Sequence, residues 1–440
     1  MSPSLGQVAE ELKQRLERRD ATIGVIGLGY VGLPLAVAFA KAGLPVIGVD
    51  ADADRSARIR AGVSPVEDVP NDELAPLVTA RRLVVADGIE ALTAADAIII
   101  CVPTPLGKSK EPDISHIVAA AEDVARILRA GQLIVLESTT YPGTTEEVLL
   151  PRFAAAGLTV GHEFFLAFSP ERIDPGNRRY GLTNIPKVVG GVTASCMALA
   201  TALYGQIVER IVPVSSPQAA ELVKLFENIF RSVNIALVNE LAIMCRRLGL
   251  SVWEIIDAAA TKPFGFMPFQ PGPGIGGHCL PSDPYYLSWR ARMMGYEARF
   301  IAFADEINRG MPGYTVQLAI DALNDLGRPL KGSRLLVLGV AYKAGVGDVR
   351  DSPAVEIIDA LVLRGARVDY ADPHVPTLTV GSRSLTAVDW AASLGSYDLV
   401  LVLTAHREFD PVRLVREARL VLDTRNLTGP LGAQPHVIRL

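Results

Sequence analysis

The segment that most constrains the fold of this chain is residues 21–50, ATIGVIGLGYVGLPLAVAFAKAGLPVIGVD. A short apolar run leads into a glycine-rich turn, then a helical pattern of apolar residues, and then a second apolar run, VIGV. This order predicts a strand, a helix and a parallel strand, which is the building unit of a doubly wound sheet. Further apolar runs at 82–86, 97–102 and 133–138 alternate with helical patterns, so we expect them to extend one parallel sheet.

The glycine turn of this segment has the spacing of a dinucleotide site. Three glycines stand where the first strand meets the helix, and Asp50 ends the next strand. Such glycines let backbone N–H groups approach a pyrophosphate, and the acid accepts from ribose hydroxyls, which favours NAD over NADP. A tight turn without a ligand is the alternative. The predicted cofactor-binding residues here are Gly27, Leu28, Gly29, Tyr30, Val31, Gly32 and Asp50.

Arg55 follows in the first turn of the next predicted helix. It could cap a phosphate of the adenosine, or it could be a solvated helix arginine. The sequence favours neither, although we include Arg55 among the predicted cofactor-binding residues.

The length of the chain, 440 residues, predicts more than one core, because single cores stop growing at about 250–300 residues. Apolar spacing predicts one long helix from about Ser215 to Gly249, and a second α/β pattern begins at 333–342 and includes 398–406. We therefore expect an α/β protein with two Rossmann-like doubly wound domains joined by a long central helix. The predicted domains are 1–214 for the dinucleotide, 215–330 for a helical dimerisation and active-site domain, and 331–440.

Charge and hydropathy exclude two classes of partner. Lys and Arg number 43 against 48 Asp and Glu, for a net charge of -5, and we find no basic block, so we predict no nucleic-acid partner. No apolar run approaches the ~18 residues that cross a bilayer, so we predict no membrane partner. The N-terminal segment is charged and helical in pattern, and we expect a cytoplasmic protein.

The four cysteines contain no C-x-x-C pair, which argues against a disulfide framework and a zinc site, and we predict no metal. Cys101, Cys196 and Cys245 lie in apolar patterns and are interpreted as inert buried thiols. Cys279 differs, because Gly276, Gly277 and His278 precede it in the Pro- and Gly-rich segment 263–287. A cysteine needs cationic or donor neighbours to become a thiolate.

Lys224 and Asn228 are four residues apart on the predicted long helix and share one face of it. A lysine and an amide there could stabilise an oxyanion together. A solvated stripe is the alternative, and spacing alone favours it.

Five ordered motifs together resemble the UDP-glucose/UDP-N-acetylhexosamine 6-dehydrogenase family, over about residues 21 to 430. They are G-L-G-Y-V-G, S-T-T-Y-P-G-T-T (138–145), S-P-E-R-I-D-P-G-N (169–177), E-L-V-K-L-F-E-N (221–228) and G-G-H-C-L-P-S-D-P (276–284). The resemblance implies NAD-dependent oxidation of a sugar C6 alcohol to a carboxylate, with a nucleotide-sugar substrate bound by the C-terminal domain. It also implies an active site between domains and a homodimer or a higher homo-oligomer.

The resemblance assigns roles to individual residues. Cys279 would be the covalent nucleophile, Lys224 and Asp283 would assist it, and Asn228 would hold oxyanions. Glu171 and Thr139 would position or activate water. Further predicted cofactor contacts are Pro103, Thr104, Thr139 and Arg350. The predicted substrate contacts are Glu171, Arg172, Lys224, Asn228, Gly274, Gly276, Tyr342, Lys343 and Arg425.

Two departures from the family pattern bear on the sugar. UDP-glucose enzymes commonly carry a second glutamate where this chain has Pro175, and a lysine where it has Ser282. The motifs S-P-E-R-I-D-P-G-N and K-P-F-G-F-M-P-F resemble the branch that acts on UDP-N-acetylglucosamine, which we favour. UDP-glucose, a dTDP-sugar such as dTDP-glucose, and UDP-N-acetylmannosamine remain alternatives.

Two other classes of protein share the glycine fingerprint. A 3-hydroxyacid or 6-phosphogluconate type of dehydrogenase would need no nucleophilic cysteine. A non-catalytic NAD-binding sensor would carry out no chemistry on this fold.

Overall fold

The structure of the protein, a computed structural model, describes residues 6–66, 68–107, 110–174, 177, 179–278 and 280–440. The chain divides into two compact units. The first comprises Met1–Glu227 and Tyr285–Gly295, and the second comprises Asn228–Pro284 and Tyr296–Leu440. The predicted division into three domains at 214 and 330 stays a prediction.

The first unit contains an eight-stranded sheet within the described residues, in the order β3-β2-β1-β4-β5-β6-β7-β8. Its strands are β1 Ile23–Ile26, β2 Val46–Val49, β3 Leu83–Ala86, β4 Ala97–Ile100, β5 Leu133–Leu136, β6 Phe165–Phe168, β7 Lys187–Gly191 and β8 Ile211–Val214. Its helices are α1 Gln7–Arg18, α2 Gly32–Lys41, α3 Ala53–Arg60, α4 Asn71–Thr79, α5 Ser115–Ile127, α6 Leu150–Ala154 and α7 Ala194–Tyr204.

Strand β4 shows how helices cover both faces of this sheet. All four of its residues are buried, and Ile99 packs into one hydrophobic cluster while Ile98 and Ile100 pack into the other. Successive side chains of a strand point to opposite faces, so a continuous apolar run is expected where both faces are covered. The predicted doubly wound arrangement is confirmed.

The sheet departs from a uniformly parallel one at β7, which pairs antiparallel with β6. A parallel pair needs a crossover connection, usually a helix. Residues 169–186 form no helix in their described part, whereas α7 connects β7 to its parallel neighbour β8. This reversal places Lys187, the first residue of β7, at the edge where β6 ends.

The long helix of the sequence is α8, Pro217–Leu248, and α10 is Asp283–Met293; each contributes residues to both units. Gly249, with φ +71°, follows the last residue of α8 and adopts the left-handed conformation that commonly ends a helix. Helix α10 begins inside the Pro- and Gly-rich segment, at Asp283. Pro284 is compatible with this start, because the first turn of a helix tolerates proline.

The second unit contains a parallel sheet in the order β10-β9-β13-β14-β15 and a separate hairpin that the sequence did not predict. Its strands are β9 Arg334–Leu338, β10 Arg367–Ala371, β11 Thr377–Val380, β12 Arg383–Thr386, β13 Leu399–Val402, β14 Val421–Asp423 and β15 Val437–Arg439. Its remaining helices are α9 Val252–Ala260, α11 Arg299–Asp325, α12 Pro353–Leu363 and α13 Pro411–Glu417. Each helix in the described part of the chain is too short or too polar to span a membrane.

Candidate functional site

The predicted cofactor residues of the first unit lie at one edge of its sheet. Strands β1, β2, β4 and β5 run parallel, so their carboxyl ends meet at the same edge. Gly27 follows β1, Asp50 follows β2, Pro103 and Thr104 follow β4, and Thr139 follows β5. Ligands of open α/β sheets bind outside the carboxyl ends of the strands.

The three glycines of the fingerprint meet three different steric demands. Gly27 has φ +88°, and a Cβ there would lie 2.5 Å from the carbonyl oxygen of Cys101. A Cβ on Gly32 would overlap the carbonyl oxygen of Gly27. A Cβ on Gly29 would meet no protein atom within 4 Å. The open space over Gly29, at the N-terminus of α2, fits a pyrophosphate, which the helix dipole would also favour.

Asp50 is held in place by three groups. Its Oδ2 accepts from the backbone N–H of Leu28 at 2.6 Å, and its Oδ1 accepts from that of Asp52 at 2.8 Å. The Nη1 of Arg55 lies 3.0 Å from both oxygens. In this structure Arg55 therefore pairs with Asp50 instead of lying free in solvent, and its predicted contact with the cofactor stays a prediction. The carboxylate stands where an NAD ribose would be bound, so these residues fit the cofactor.

Residues of α10 that belong to the first unit hold the loop after β4. The hydroxyl of Tyr286 donates to the carbonyl of buried Thr104, and Lys110 Nζ donates to the Tyr285 hydroxyl at 2.7 Å. This support could not be predicted from local sequence pattern, because about 180 residues separate Thr104 from Tyr286.

Glu221 fixes the S-T-T-Y-P-G-T-T turn that carries Thr139. Its side chain is buried, with Oε2 accepting from Gly143 N at 2.5 Å and Oε1 from Thr145 N at 2.9 Å and Thr145 Oγ1 at 2.6 Å. Glu221 lies on α8 one turn before Lys224, so the helix that carries Lys224 also anchors the turn. Sequence reasoning missed it, although it opens the E-L-V-K motif.

Glu171 and Arg172 follow β6 at the same sheet edge. Glu171 Oε1 accepts from the backbone N–H groups of Arg172 and Ile173, each at 2.6 Å. The Arg172 guanidinium forms an ion pair with Glu227 and donates to the carbonyl of Pro186 at 2.6 Å. In this structure Arg172 thus binds protein groups, and its predicted substrate contact stays a prediction.

Lys224 and Asn228 are both buried, at 9% and 2% exposure, which excludes the solvated-stripe alternative. In the second unit, Asn228 Nδ2 donates to Asp283 Oδ2 at 2.5 Å, and its Oδ1 accepts from Arg231 Nη2 at 2.7 Å. These two contacts fix the orientation of the amide. Asn228 has two N–H donors, of which Asp283 takes one.

The predicted substrate loop of the second unit packs closely against Tyr342 and α12. A Cβ on Gly276 would lie 2.8 Å from Tyr342 Cβ, and one on Gly277 would lie 2.9 Å from Tyr342 Cε2. Gly274 has φ +134°, and a Cβ there would lie 3.1 Å from Pro353 Cγ. The backbone can approach Tyr342 this closely only because these residues are glycines.

Arg425 has the environment of an anion-binding residue. Its Nε donates to the carbonyl of Leu403 at 2.9 Å, and a Cβ on Gly272 would overlap its guanidinium. Burial lowers the pKa of Arg425 to about 10. In the described part of the chain no carboxylate forms an ion pair with it. A desolvated guanidinium without a carboxylate partner is suited to a phosphate or to a base edge.

Two predicted second-unit residues have less defined environments. Lys343 is half-buried. Arg350 is half-exposed and lies in a loop where its guanidinium contacts Asp348, at 2.6 Å from Nη2 to Oδ2. Their predicted roles stay predictions.

The cysteines divide as the sequence indicates where they are described. Cys101, Cys196 and Cys245 are free and buried, and burial raises the pKa of the Cys101 thiol well above its usual value. Cys279, the predicted nucleophile, and Pro175 lie outside the described residues.

A cluster of His374, His406 and Glu408 brings possible metal ligands within 4.8 Å of one another. However, His406 Nδ1 accepts from Gly345 N at 3.2 Å, and its Nε2 lies 3.0 Å from Asp372 Oδ2. Both ring nitrogens therefore have protein partners, and the cluster gives no reason to infer a metal.

Comparison with known proteins matches three domains of one family along the chain. The UDP-glucose/GDP-mannose dehydrogenase family matches through its NAD binding domain at residues 21–208, its central domain at 218–310 and its UDP binding domain at 336–430.

Several similar proteins are nucleotide-sugar dehydrogenases. The UDP-N-acetyl-D-glucosamine 6-dehydrogenase of Pseudomonas aeruginosa is 36% identical over 89% of this chain and 92% of its own length. The UDP-N-acetyl-D-mannosamine dehydrogenase of Pyrococcus horikoshii is 35% identical over 92% of this chain and 95% of its own. A solved structure of UDP-D-ManNAc dehydrogenase from Pyrococcus horikoshii superposes with a TM-score of 0.86, at 33% identity, over 95% of this chain and 98% of that one.

The matches cover nearly the whole chain, and the described residues of the first unit fit the dinucleotide that the NAD binding domain of the family takes. The chain therefore belongs to the UDP-glucose/GDP-mannose dehydrogenase family and is an NAD-dependent oxidoreductase.

Proposed function

We propose that this protein oxidises the C6 alcohol of UDP-N-acetyl-D-glucosamine to the uronate, in two NAD-dependent steps on Cys279. The observation that carries the reaction class is the presence, in order, of a fitting NAD site, the E-L-V-K-L-F-E-N helix and the G-G-H-C-L-P-S-D-P loop. The buried hydrogen bond between Asn228 and Asp283 supports it. This bond joins the E-L-V-K-L-F-E-N motif to the G-G-H-C-L-P-S-D-P motif, and the proposal gives both motifs a role in the chemistry.

The choice of sugar rests on the relatives and on Pro175. The Pseudomonas aeruginosa relative, and a second from Salmonella typhi at 36% identity, are both named for UDP-N-acetyl-D-glucosamine. Pro175 replaces a glutamate that UDP-glucose enzymes commonly carry. UDP-N-acetyl-D-mannosamine is the second candidate, because the Pyrococcus horikoshii relative named for that sugar is 35% identical over 92% of this chain.

Bound NAD⁺ would supply the hydride acceptor for both oxidations. The first step needs an ordered alcohol and an acceptor for its proton. In our proposal Lys224, buried on α8, lies beside the reacting oxygen and stabilises negative charge on it. The Asp50 carboxylate and the open backbone at Gly29 hold the nucleotide.

The second step requires a covalent bond. The Cys279 thiolate adds to the C6 aldehyde, and the resulting oxyanion takes up a proton to give a thiohemiacetal. Loss of a second hydride and the hydroxyl proton leaves a thioester. Asn228 would stabilise the oxyanion through the N–H that Asp283 does not take. The aldehyde therefore stays attached to the protein.

Hydrolysis of the thioester completes the reaction. Water forms a bond to the acyl carbon, the C–S bond breaks, and the carboxylate leaves while the thiolate is restored. Thr139 and Glu171 follow adjacent strands of the sheet, and we assign them to this water. The sum is one alcohol, two NAD⁺ and one water giving one carboxylate, two NADH and three protons.

Residues of the second unit would bind the UDP-sugar. The close packing of Gly276 and Gly277 on Tyr342 shapes the loop, and the Arg425 guanidinium offers donors without a carboxylate partner in the described chain. We assign Gly274, Tyr342, Lys343 and Arg425 to the substrate.

The proposal is tested with a panel of UDP- and dTDP-sugars and NAD⁺, followed by NADH absorbance and by product mass. We expect two NADH per sugar nucleotide, a uronate product, and a higher kcat/KM for UDP-N-acetylglucosamine than for UDP-glucose. A reversed order would overturn the sugar assignment alone. Absence of NADH with every sugar would overturn the reaction class.

We also propose a homodimer that uses one face of α8. Large apolar side chains at intervals of four and seven residues are exposed on it: Leu222, Phe226, Phe230, Leu237, Met244 and Leu248. Such a face usually packs against another apolar surface. Light scattering of wild type and Phe226→Glu tests this, since the variant should shift toward the monomer. The cytoplasmic location and the lack of a nucleic-acid partner stay predictions from the sequence.

A further inference from the structure

Three charged side chains that are far apart in the sequence meet at the carboxyl edge of the first sheet. Glu137 directly follows β5, Glu171 follows β6, and Lys187 begins the antiparallel strand β7. The reversal at β7 is what brings a lysine to this edge. All three are buried or nearly so, with side-chain exposures of 0% for Glu137, 11% for Glu171 and 4% for Lys187.

Lys187 lies between the two carboxylates. Its Nζ forms an ion pair with Glu137 Oε1 and lies 3.7 Å from Glu171 Oε2. The other oxygen of Glu137 accepts from the Tyr204 hydroxyl at 2.6 Å. Glu171 Oε2 is buried and has no hydrogen-bond partner among the described residues. The Lys187 ammonium therefore lies close enough to act electrostatically on Glu171 Oε2, while no described residue donates a hydrogen bond to this oxygen.

One buried ammonium cannot fully neutralise two buried carboxylates. Burial raises the pKa of Glu137 to about 7, even though the Lys187 charge acts against this. Burial alone would lower the pKa of Lys187, but the Glu137 and Glu171 charges outweigh it and the pKa is raised. The lysine therefore stays charged near neutral pH, and the cluster can hold one proton shared among its acids.

We propose that Lys187 is a positioning residue, held by its ion pair with Glu137, that places an ammonium beside the Glu171 carboxylate and leaves Glu171 Oε2 directed to accept a proton from water. This inference rests on the proposed function, in which Glu171 acts on the water that hydrolyses the thioester. In that step a water O–H bond breaks, its oxygen bonds to the acyl carbon, and the proton moves to Glu171 Oε2. When Glu171 takes up this proton, Glu137 remains as the ion-pair partner of the Lys187 ammonium.

Other groups near Glu171 do not replace Lys187. Arg172, in the same loop, is paired with Glu227 of α8. Tyr204, on α7, points its hydroxyl to Glu137, and burial raises its pKa well above the usual value. Cys101, after β4, is neutral because burial raises its pKa as well. Among the described residues, Lys187 is therefore the cation that forms an ion pair with Glu171.

The test compares the pH profile of kcat in the wild type with the profiles of three variants. In Glu137→Gln the Lys187 charge is no longer shared, so we expect the acidic limb to move to lower pH. In Lys187→Met the limb should move to higher pH, by about one unit, since an opposite charge nearby shifts a carboxyl by ~1–3 units. Lys187→Arg should restore the wild-type limb. The KM values for sugar nucleotide and NAD⁺ should change less than kcat.

Two further variants separate this role from simple stabilisation. Lys187→Met leaves two buried carboxylates without a cation and could fail to fold, whereas the double variant Lys187→Met/Glu137→Gln removes both charges. The double variant should still move the limb to higher pH. Arg15→Met is the matched control, because it breaks an ion pair with buried Asp96 at the amino end of β4. It should leave the limb unchanged.

Acidic limbs that superimpose on the wild type in every folded variant would overturn the inference. A readout independent of turnover is the ¹³C NMR titration of labelled glutamate carboxyls, assigned with Glu171→Gln. The Glu171 resonance should titrate at lower pH in Glu137→Gln than in wild type, and no difference would again overturn the inference. If the wild type oxidised no sugar nucleotide, the proposed function alone would fail. The NMR titration needs no turnover, so it would still test whether Lys187 and Glu137 act on Glu171.

Discussion

Asn228 donates a hydrogen bond to Asp283 across 2.5 Å, joining α8 to the first residue of α10. Both side chains are buried, at 2% and 3% exposure. The contact fixes which way the amide points and uses one of its two N–H donors; in our proposal the second N–H binds the oxyanion of the reaction.

If that N–H stabilises the oxyanion, Asn228→Ala should lower kcat by about 10²–10³-fold, the range found when one oxyanion donor is removed. The KM values should change much less. Asn234→Ala is the control. Asn234 lies on the same helix and donates to the backbone carbonyl of Phe230 at 2.7 Å. Equal losses of kcat in the two variants would contradict this role.

Asp50→Ser should reduce the preference for NAD⁺ over NADP⁺. The substitution removes the charge that would repel a 2′-phosphate, and it frees Arg55, now 3.0 Å from the carboxylate, to approach that phosphate. The ratio of kcat/KM for the two cofactors measures the effect. Asp54→Ser, a change in the exposed first turn of α3, should leave the ratio unaltered. Equal use of both cofactors by the wild type would show that Asp50 does not select.

Gly29→Ala and Gly32→Ala should impair the protein in different ways, the first by weakening NAD⁺ binding and the second by lowering stability. The Cβ at residue 29 meets no protein atom within 4 Å, so this variant should keep its thermal midpoint and lose NAD⁺ affinity. The Cβ at residue 32 overlaps the Gly27 carbonyl, so that variant should lose stability even without NAD⁺. Calorimetric titration and thermal unfolding of both variants separate the effects. Unchanged NAD⁺ affinity in Gly29→Ala would refute the placement of the pyrophosphate.

The sequence predicted the features that local pattern determines. The glycine turn, Asp50, the apolar strands and α8 with its end at Gly249 all depend on residues close together in the chain. The sequence could not predict the partners of those residues, because Glu221, Lys187 and Tyr286 reach their contacts across about 50 to 180 residues. One clue was available for Glu137, a carboxylate directly after the apolar run LIVL.

Glu137→Gln should make stability depend less on pH. The folded-state pKa of Glu137, about 7, exceeds its ordinary value of 4.5, so the folded protein binds this proton more tightly than the unfolded chain. Wild-type stability from this group is then highest below pH 4.5 and falls as pH rises toward 7. Glutamine does not ionise, so the thermal midpoint of the variant should rise relative to wild type across that window. A constant difference between them would contradict the raised pKa.

The central claim is that the acid forms through a covalent bond to Cys279, and the most direct test is steady-state uronate production by Cys279→Ala. Binding of NAD⁺ and of the sugar nucleotide should be nearly unchanged, and Cys245→Ala, at a buried thiol, is the control. We predict that uronate formation by Cys279→Ala is abolished while the control stays active. A Cys279→Ala rate within about tenfold of wild type, or about 1.4 kcal/mol of barrier, would contradict the thioester mechanism.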